Sequence, residues 1–188
     1  MKLVSNILTV AIFSAFSVGV SAAATEGTLN FNFSGVVPAK TVDASGWDFV
    51  IADGVTKYVA PGSISMNAVT QADESVVLTS NSEEFYIAPE GANTFSTTAI
   101  TAQLVGAPTI TGSALLPSEF DTVTSSITIN GLEVIAASET TITTPEASDA
   151  DAKRMVLGAH VNVPADARAS EGGNVTLQTT IRFSAEIA

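Results

Sequence analysis

The chain has no cysteine, one histidine, one tryptophan and only seven lysines and arginines among its 188 residues. Each shortage removes a class of chemistry. Without cysteine there is no disulfide and no thiol nucleophile, so stability must come from an ordinary buried core. A serine hydrolase would have to rest on His160 alone, and the sequence carries no G-x-S-x-G elbow, no phosphate-cradling Gly-Lys loop and no H-E-x-x-H pair. Nineteen acidic residues against seven basic ones give a formal charge of −12. Nucleic-acid binding draws on clustered Lys and Arg, so a nucleic-acid partner is not expected. The reading is therefore of a protein that is not an enzyme, with no catalytic residue, no cofactor and no metal.

Carboxylates are the one plentiful reactive group. Glu146, Asp149 and Asp151 come nearest to a calcium cluster, but their spacing lacks the regular Asp, Asn and Gly ligands of a dedicated loop. Asp73-Glu74 and Glu83-Glu84 read as solubilising charges on sheet edges, where charge also blocks unwanted pairing. Trp47, with Phe49 two positions on, offers a sugar-stacking platform or a core anchor; the core is favoured. His160 falls on the polar side of its strand, facing solvent or hydrogen-bonded.

What the sequence does contain begins with an export signal over residues 1–24. Lys2 supplies the positive start, Leu3 to Val20 is mostly apolar, and the small-residue run Ser21-Ala22-Ala23-Ala24 offers cleavage after Ala22 or, preferred here, after Ala24. Losing Lys2 takes the formal charge from −12 to −13. The mature chain has no further segment apolar enough to span a bilayer, so no stable membrane insertion is expected once the signal is gone.

Beyond the signal, Thr, Ser, Val, Ile and Ala dominate and alternate with the period of half-buried strands, with turns marked by Asp53-Gly54, Pro61-Gly62 and Pro89-Glu90-Gly91. Strands are predicted over Gly27–Val37, Trp47–Ile51, Ser63–Val69, Ser75–Ser80, Glu84–Ala88, Ser96–Val105, Val123–Asn130, Leu132–Ile135 and Val156–Val163. Asn130-Gly131 predicts a tight hairpin, because both residues tolerate positive φ. Thr144–Met155 forms either a short surface helix or a loop whose charges face water. After the flexible lead-in Gly172-Gly173, Val175–Ile187 predicts one strand of roughly 40 Å. It sets Val175, Leu177, Thr179, Ile181, Phe183, Ala185 and Ile187 on one side. There is no internal repeat and no interdomain linker; an all-β sandwich or barrel is the expected class.

The two ends carry a resemblance. Gly27-Thr28-Leu29-Asn30-Phe31, Gly35-Val36-Val37 and Val42-Asp43-Ala44 follow directly on the signal, and the chain closes on a long alternating strand. In this it resembles the fimbrial subunits assembled by the chaperone–usher route. The resemblance implies an immunoglobulin-like β-sandwich that is incomplete and is completed by a donor strand from a neighbouring subunit. It divides the chain into a signal (1–24), a donor arm (25–37) and a pilin-like domain (38–188). Thr25, Gly27, Leu29, Phe31 and Phe33 would be the arm's groove-filling positions, and Leu177, Ile181, Phe183 and Ile187 the strand that lines the groove and meets the chaperone. Implied partners are its own copies or other pilus subunits, a periplasmic chaperone and an outer-membrane usher. The implied location is the periplasm and then the surface fimbrium, with a part in adhesion or biofilm. Periodicity alone leaves the arm's strand equally able to pair within its own domain, and the alternative is a self-contained secreted β-sandwich, a binding or matrix module. The chain departs from many rod subunits in having Val42 near the first expected cysteine, Gly173 slightly early for the glycine of the last strand, and Ile187 in place of a penultimate tyrosine.

Overall fold

β10, Lys153–Val163, is the longest strand and organises the first of two antiparallel sheets in the computed structural model, which describes residues 46–146 and 148–188. The signal, its cleavage site and the arm Thr25–Val37 lie outside the described residues. Met155, Val161 and Val163 of β10 point into the core and are fully buried, while Arg154, His160 and Asn162 are exposed, the alternation that makes a strand amphipathic.

One side of β10 is covered by two successive strands. β3 (Val76–Ser80) pairs with its second half, His160 opposite Thr79, and β4 (Glu83–Pro89) with its first half, Leu157 opposite Glu83. Between these pairs the β3–β4 chain uses one residue more than β10 does, a bulge at Asn81-Ser82 that turns one long strand into two. Ser80 Oγ accepts the Ala159 N–H at 2.8 Å and so serves the ladder where it breaks. The bulge also divides the outer partners: β1 (Trp47–Val50) pairs with β4, and β2 (Met66–Thr70) with β3. On the other side of β10 runs β7 (Thr124–Ile129), which turns through Asn130-Gly131 into β8 (Leu132–Val134).

The second sheet is built on β5 (Ile100–Leu104), flanked by β9 (Thr140–Thr143) and β12 (Ile181–Ser184). β6 (Thr109–Thr111) and β11 (Thr176–Gln178) continue the same pairing, joined by the Val105 N–H donating to the Thr180 carbonyl at 2.9 Å. Between the sheets lie Ile87, Phe95, Ile100, Ala102, Ile127, Ile129 and Met155, all at or near zero exposure. Burying a side chain of the larger kind contributes about 1.5–3 kcal/mol. A second cluster of Leu115, Val123, Val161, Val163 and Ala167 closes one end.

The expected all-β sandwich is what forms, with several local differences. No helix occupies the described residues from Thr144 to Ala152; they form loop, and Lys153 already belongs to β10. Its charges do not simply face water: Lys153 pairs with Asp149, and Arg154 with Glu84. Glu83 and Glu84 sit on an inner strand rather than an edge, and accept hydrogen bonds from Tyr58 (2.9 Å) and Tyr86 (2.7 Å). The last strand is not continuous, because its ladder breaks at Thr179-Thr180 where the facing chain bulges between β5 and β6. Nor is Gly173 a flexible lead-in. It has φ +144°, and a Cβ there would lie 2.8 Å from the Ala114 nitrogen, so glycine is required by a tight crossing.

The predicted hairpin is present, with Asn130 at φ 51° and Gly131 at φ 80°. Asn130 does more than turn. Its N–H donates to the Val156 carbonyl (2.8 Å), its Oδ1 accepts the Val156 N–H (2.8 Å), and its Nδ2 donates to the Arg154 carbonyl (3.1 Å). The side chain thus extends the β7 ladder beyond the end of its backbone. Asn130→Ala replaces a residue that tolerates positive φ with one that does so poorly, and removes two hydrogen bonds to β10. A loss of about 1–3 kcal/mol, read from the urea midpoint, is the expected outcome.

Candidate functional site

A sandwich buries a strand's inward side chains only where the facing sheet covers them. That cover is uneven here. On β5 the inward residues Ile100, Ala102 and Leu104 are fully buried, yet one strand over Val175, Leu177, Ile181, Phe183, Ala185 and Ile187 are all only half-buried. The deficit reaches the middle of the central strand: between buried Met155 and Val161, the inward Leu157 and Ala159 are also half-buried although strands flank β10 on both sides. The half-buried set therefore forms one apolar seam along the last strand and over the middle of β10.

The seam's two lips are β1 on one sheet and β11–β12 on the other. β12 pairs through β5 on one side, and no strand among the described residues pairs with its other edge. β1 likewise has only β4 as a strand partner. Phe49 of β1 reaches across to Phe183 of β12, ring centroids 5.5 Å apart and edge-to-face, and both rings also meet Phe85 of β4. Such pairs add about 0.5–1.5 kcal/mol beyond area burial. At the far end Leu177 packs against both hydrophobic clusters, and Met66 and Leu78 pack against the second of them. Thr179 lies in the same inward row, and its Oγ1 is buried without a hydrogen-bond partner. An unmet buried hydroxyl costs about 1–3 kcal/mol.

The strand order explains why the gap falls there. An immunoglobulin-type sandwich sets four strands in the order A-B-E-D over three in the order C-F-G. β1, β3–β4, β10 and β7 follow the first order, and β5–β6 with β11–β12 follow C-F. Among the described residues no strand occupies the G position beside β12.

Of the residues singled out from sequence, Leu177 lies on β11, Ile181 and Phe183 on β12, and Ile187 beyond it in a bridge to Phe95. The structure puts all four in the seam's inward row. Thr25, Gly27, Leu29, Phe31 and Phe33 lie outside the described residues. The sequence reading did not place Phe49, Leu157 and Ala159 beside the last strand; their alternation showed that they face a core, not which strand fails to cover them. Trp47 is buried in the core, edge-to-face with Phe49 at 5.2 Å, and is not a surface platform for a sugar.

The charged groups serve structure. Among the described residues no group of three or more His, Cys, Asp or Glu is placed to hold a metal ion. Asp149 is engaged by Lys153 and by the Asp151 N–H (3.0 Å). His160 is exposed, its Nδ1 3.1 Å from Thr79 Oγ1. Among the described residues no helix is long and apolar enough to cross a membrane.

This architecture defines the class of protein, an all-β sandwich in which, among the described residues, one sheet edge and its apolar lining have no strand over them. No family model matches the chain. It is similar to the CS5 fimbrial subunit of Escherichia coli, with 33% identity over 92 residues that cover 48% of this chain and 43% of that protein. The match therefore spans less than half of the curated relative's length.

The hydrogen bonds from Lys153 and then from the Asp151 N–H hold the Asp149 carboxyl below its ordinary value of 3.8. A carboxyl depressed in the folded state contributes stability that is complete above its unfolded value and is lost as pH falls through the lower folded one. Asp149→Asn should lower the urea midpoint at pH 7, and the gap to the unsubstituted protein should close as the pH is brought down below 3.8.

Proposed function

We propose that the chain is a structural, non-enzymatic subunit of a surface fimbria that polymerises by donor-strand exchange, its seam receiving the N-terminal arm of a neighbouring subunit. The observation that carries this reading is the half-buried apolar row of the last strand beside an edge with no strand partner among the described residues. The similarity to a fimbrial subunit supports it.

The chemistry required is modest. An extended segment added at that edge takes up the open main-chain hydrogen bonds of β11–β12, while every second side chain enters the seam. Thr25, Gly27, Leu29, Phe31 and Phe33 alternate with Glu26, Thr28, Asn30 and Asn32, as such a segment must. The arm and the seam are different surfaces of one chain, so each contact is heterologous and repetition gives a filament. A periplasmic chaperone would cover the same edge before assembly and an outer-membrane usher would export the growing fibre, which contributes to adhesion or biofilm.

Deletion of Thr25 to Val37 from the exported protein tests this. The truncated subunit should no longer polymerise, yet should bind a peptide of that sequence in trans, seen as a shift to a more stable monomer. A truncated chain that polymerises as before, or that ignores the peptide, overturns the reading. Phe31→Asp should weaken polymerisation about a hundredfold or more, since an unpaired carboxylate in an apolar seam costs at least about 3 kcal/mol.

A further inference from the structure

The turn between β7 and β8 holds a reactive pair as well as a hairpin. Asn130 is followed by Gly131, and none of the chain's other asparagines precedes a glycine. With no Cβ to crowd it, a glycine's backbone nitrogen can attack the carboxamide carbon of the asparagine before it, the first step of deamidation. Both residues are exposed, and with Arg154 and Val156 they line a hollow open to water. Sequence and exposure alone would make this the most labile amide of the chain.

The fold opposes that reaction at the atoms it uses. The Asn130 carboxamide is turned onto β10, where Oδ1 accepts the Val156 N–H (2.8 Å) and Nδ2, the group that would leave, donates to the Arg154 carbonyl (3.1 Å). The Asn130 N–H is held by the Val156 carbonyl at 2.8 Å, so main chain and side chain are fixed to the same strand. To bring its carbon to the Gly131 nitrogen the carboxamide must give up both of its hydrogen bonds and come away from β10. The hairpin cannot follow it cheaply, because Ile127, Ile129 and Val134 anchor β7 and β8 in the core at 2%, 0% and 1% exposure. Reaction therefore runs through a rare, locally opened state.

We infer that Asn130 is a self-modification site gated by β10, deamidating when the β7–β8 hairpin leaves that strand and protected while the hairpin is seated on it. In the open state the Gly131 nitrogen bonds to Asn130 Cγ, the Cγ–Nδ2 bond breaks, and ammonia leaves with the proton that the Gly131 nitrogen gives up. Water then opens the cyclic imide at one of its two carbonyls. The product is aspartate, or isoaspartate with the main chain running through the former side chain. Neither closes as before: aspartate sets a carboxylate oxygen against the Arg154 carbonyl where an N–H donor stood, and isoaspartate adds a methylene to the main chain of a two-residue turn. A hairpin modified while open is thereby kept from reseating, so the change runs one way. An intact Asn130 marks a chain that has folded and stayed folded, whatever fills its seam.

The full mature chain is incubated in mildly alkaline buffer, without urea and above its urea midpoint, and the peptide carrying Asn130 is followed by mass spectrometry. Fluorescence of the buried Trp47 reports global unfolding in the same samples. Deamidation should be about a hundredfold or more slower without urea than above the midpoint. Val134→Ala loosens the hairpin's anchor and should raise the rate in buffer about tenfold while Trp47 keeps its native signal. Gly131→Ala, which crowds the attacking nitrogen, should suppress the reaction even in the unfolded chain, and Asn130→Asp should lower the urea midpoint. Equal rates in folded and unfolded chains, or a rate unmoved by Val134→Ala, overturn the gate. An unfolded chain in which Asn130 reacts no faster than the other asparagines overturns the site, and an unchanged midpoint for Asn130→Asp overturns the one-way character.

Discussion

β10 gives its hydrogen bonds to β3 and β4 on one side and to β7 on the other, and its inward side chains to whatever lies across the sandwich. That double demand governs the structure. The backbone demand is met along its paired length, by the Ser80 hydroxyl at the bulge and by the Asn130 carboxamide past the end of β7. The side-chain demand is not. Met155, Val161 and Val163 are sealed while Leu157 and Ala159 between them are half-buried, and among the described residues the facing sheet has no strand beyond β12. Within the described residues, the uncovered edge of the second sheet is felt in the middle of the first.

What the sequence revealed follows from how local each feature is. The Asn130-Gly131 turn, the inward placement of Trp47 and the alternation of Val175 to Ile187 are properties of a few neighbouring residues, and each is present in the fold. β6 (Thr-Ile-Thr) and β9 (Thr-Thr-Ile-Thr) each hold a single apolar residue, so no alternation registers there. The bulge at Asn81-Ser82 and the break at Thr179-Thr180 arise from mismatch with distant partner strands, which no window of sequence contains. The seam was half legible: its wall on the last strand shows as alternation, but Phe49, Leu157 and Ala159 are joined to it only by the fold.

The scarcity of basic residues has a structural counterpart. Lys57 pairs with Asp48, Lys153 with Asp149, Arg154 with Glu84 and Arg182 with Glu139, while Arg168 donates to the Glu74 carbonyl. Every basic side chain among the described residues is engaged, and the acidic excess is left to the surface. Exposed pairs of this kind add little to stability, about 0–1 kcal/mol each. The weight therefore rests on the apolar interior, in a chain that has no disulfide to replace it.

The pairing of the last strand also sets a timescale. Arg182 and Gln103, opposite one another on β12 and β5, are 79 positions apart, and His160 and Thr79 on β10 and β3 are 81 apart. Closing such long loops costs entropy before the contacts that reward it exist, which makes sheets of this kind slow to form. While they form, apolar side chains and open backbone edges stay available to any other chain. Among the described residues the outer edge of β12 has no strand partner even in the finished fold, so that exposure does not end with the pairing of these strands. For this chain, shelter of the last strand matters from the first moments of folding, not only once the fold is complete.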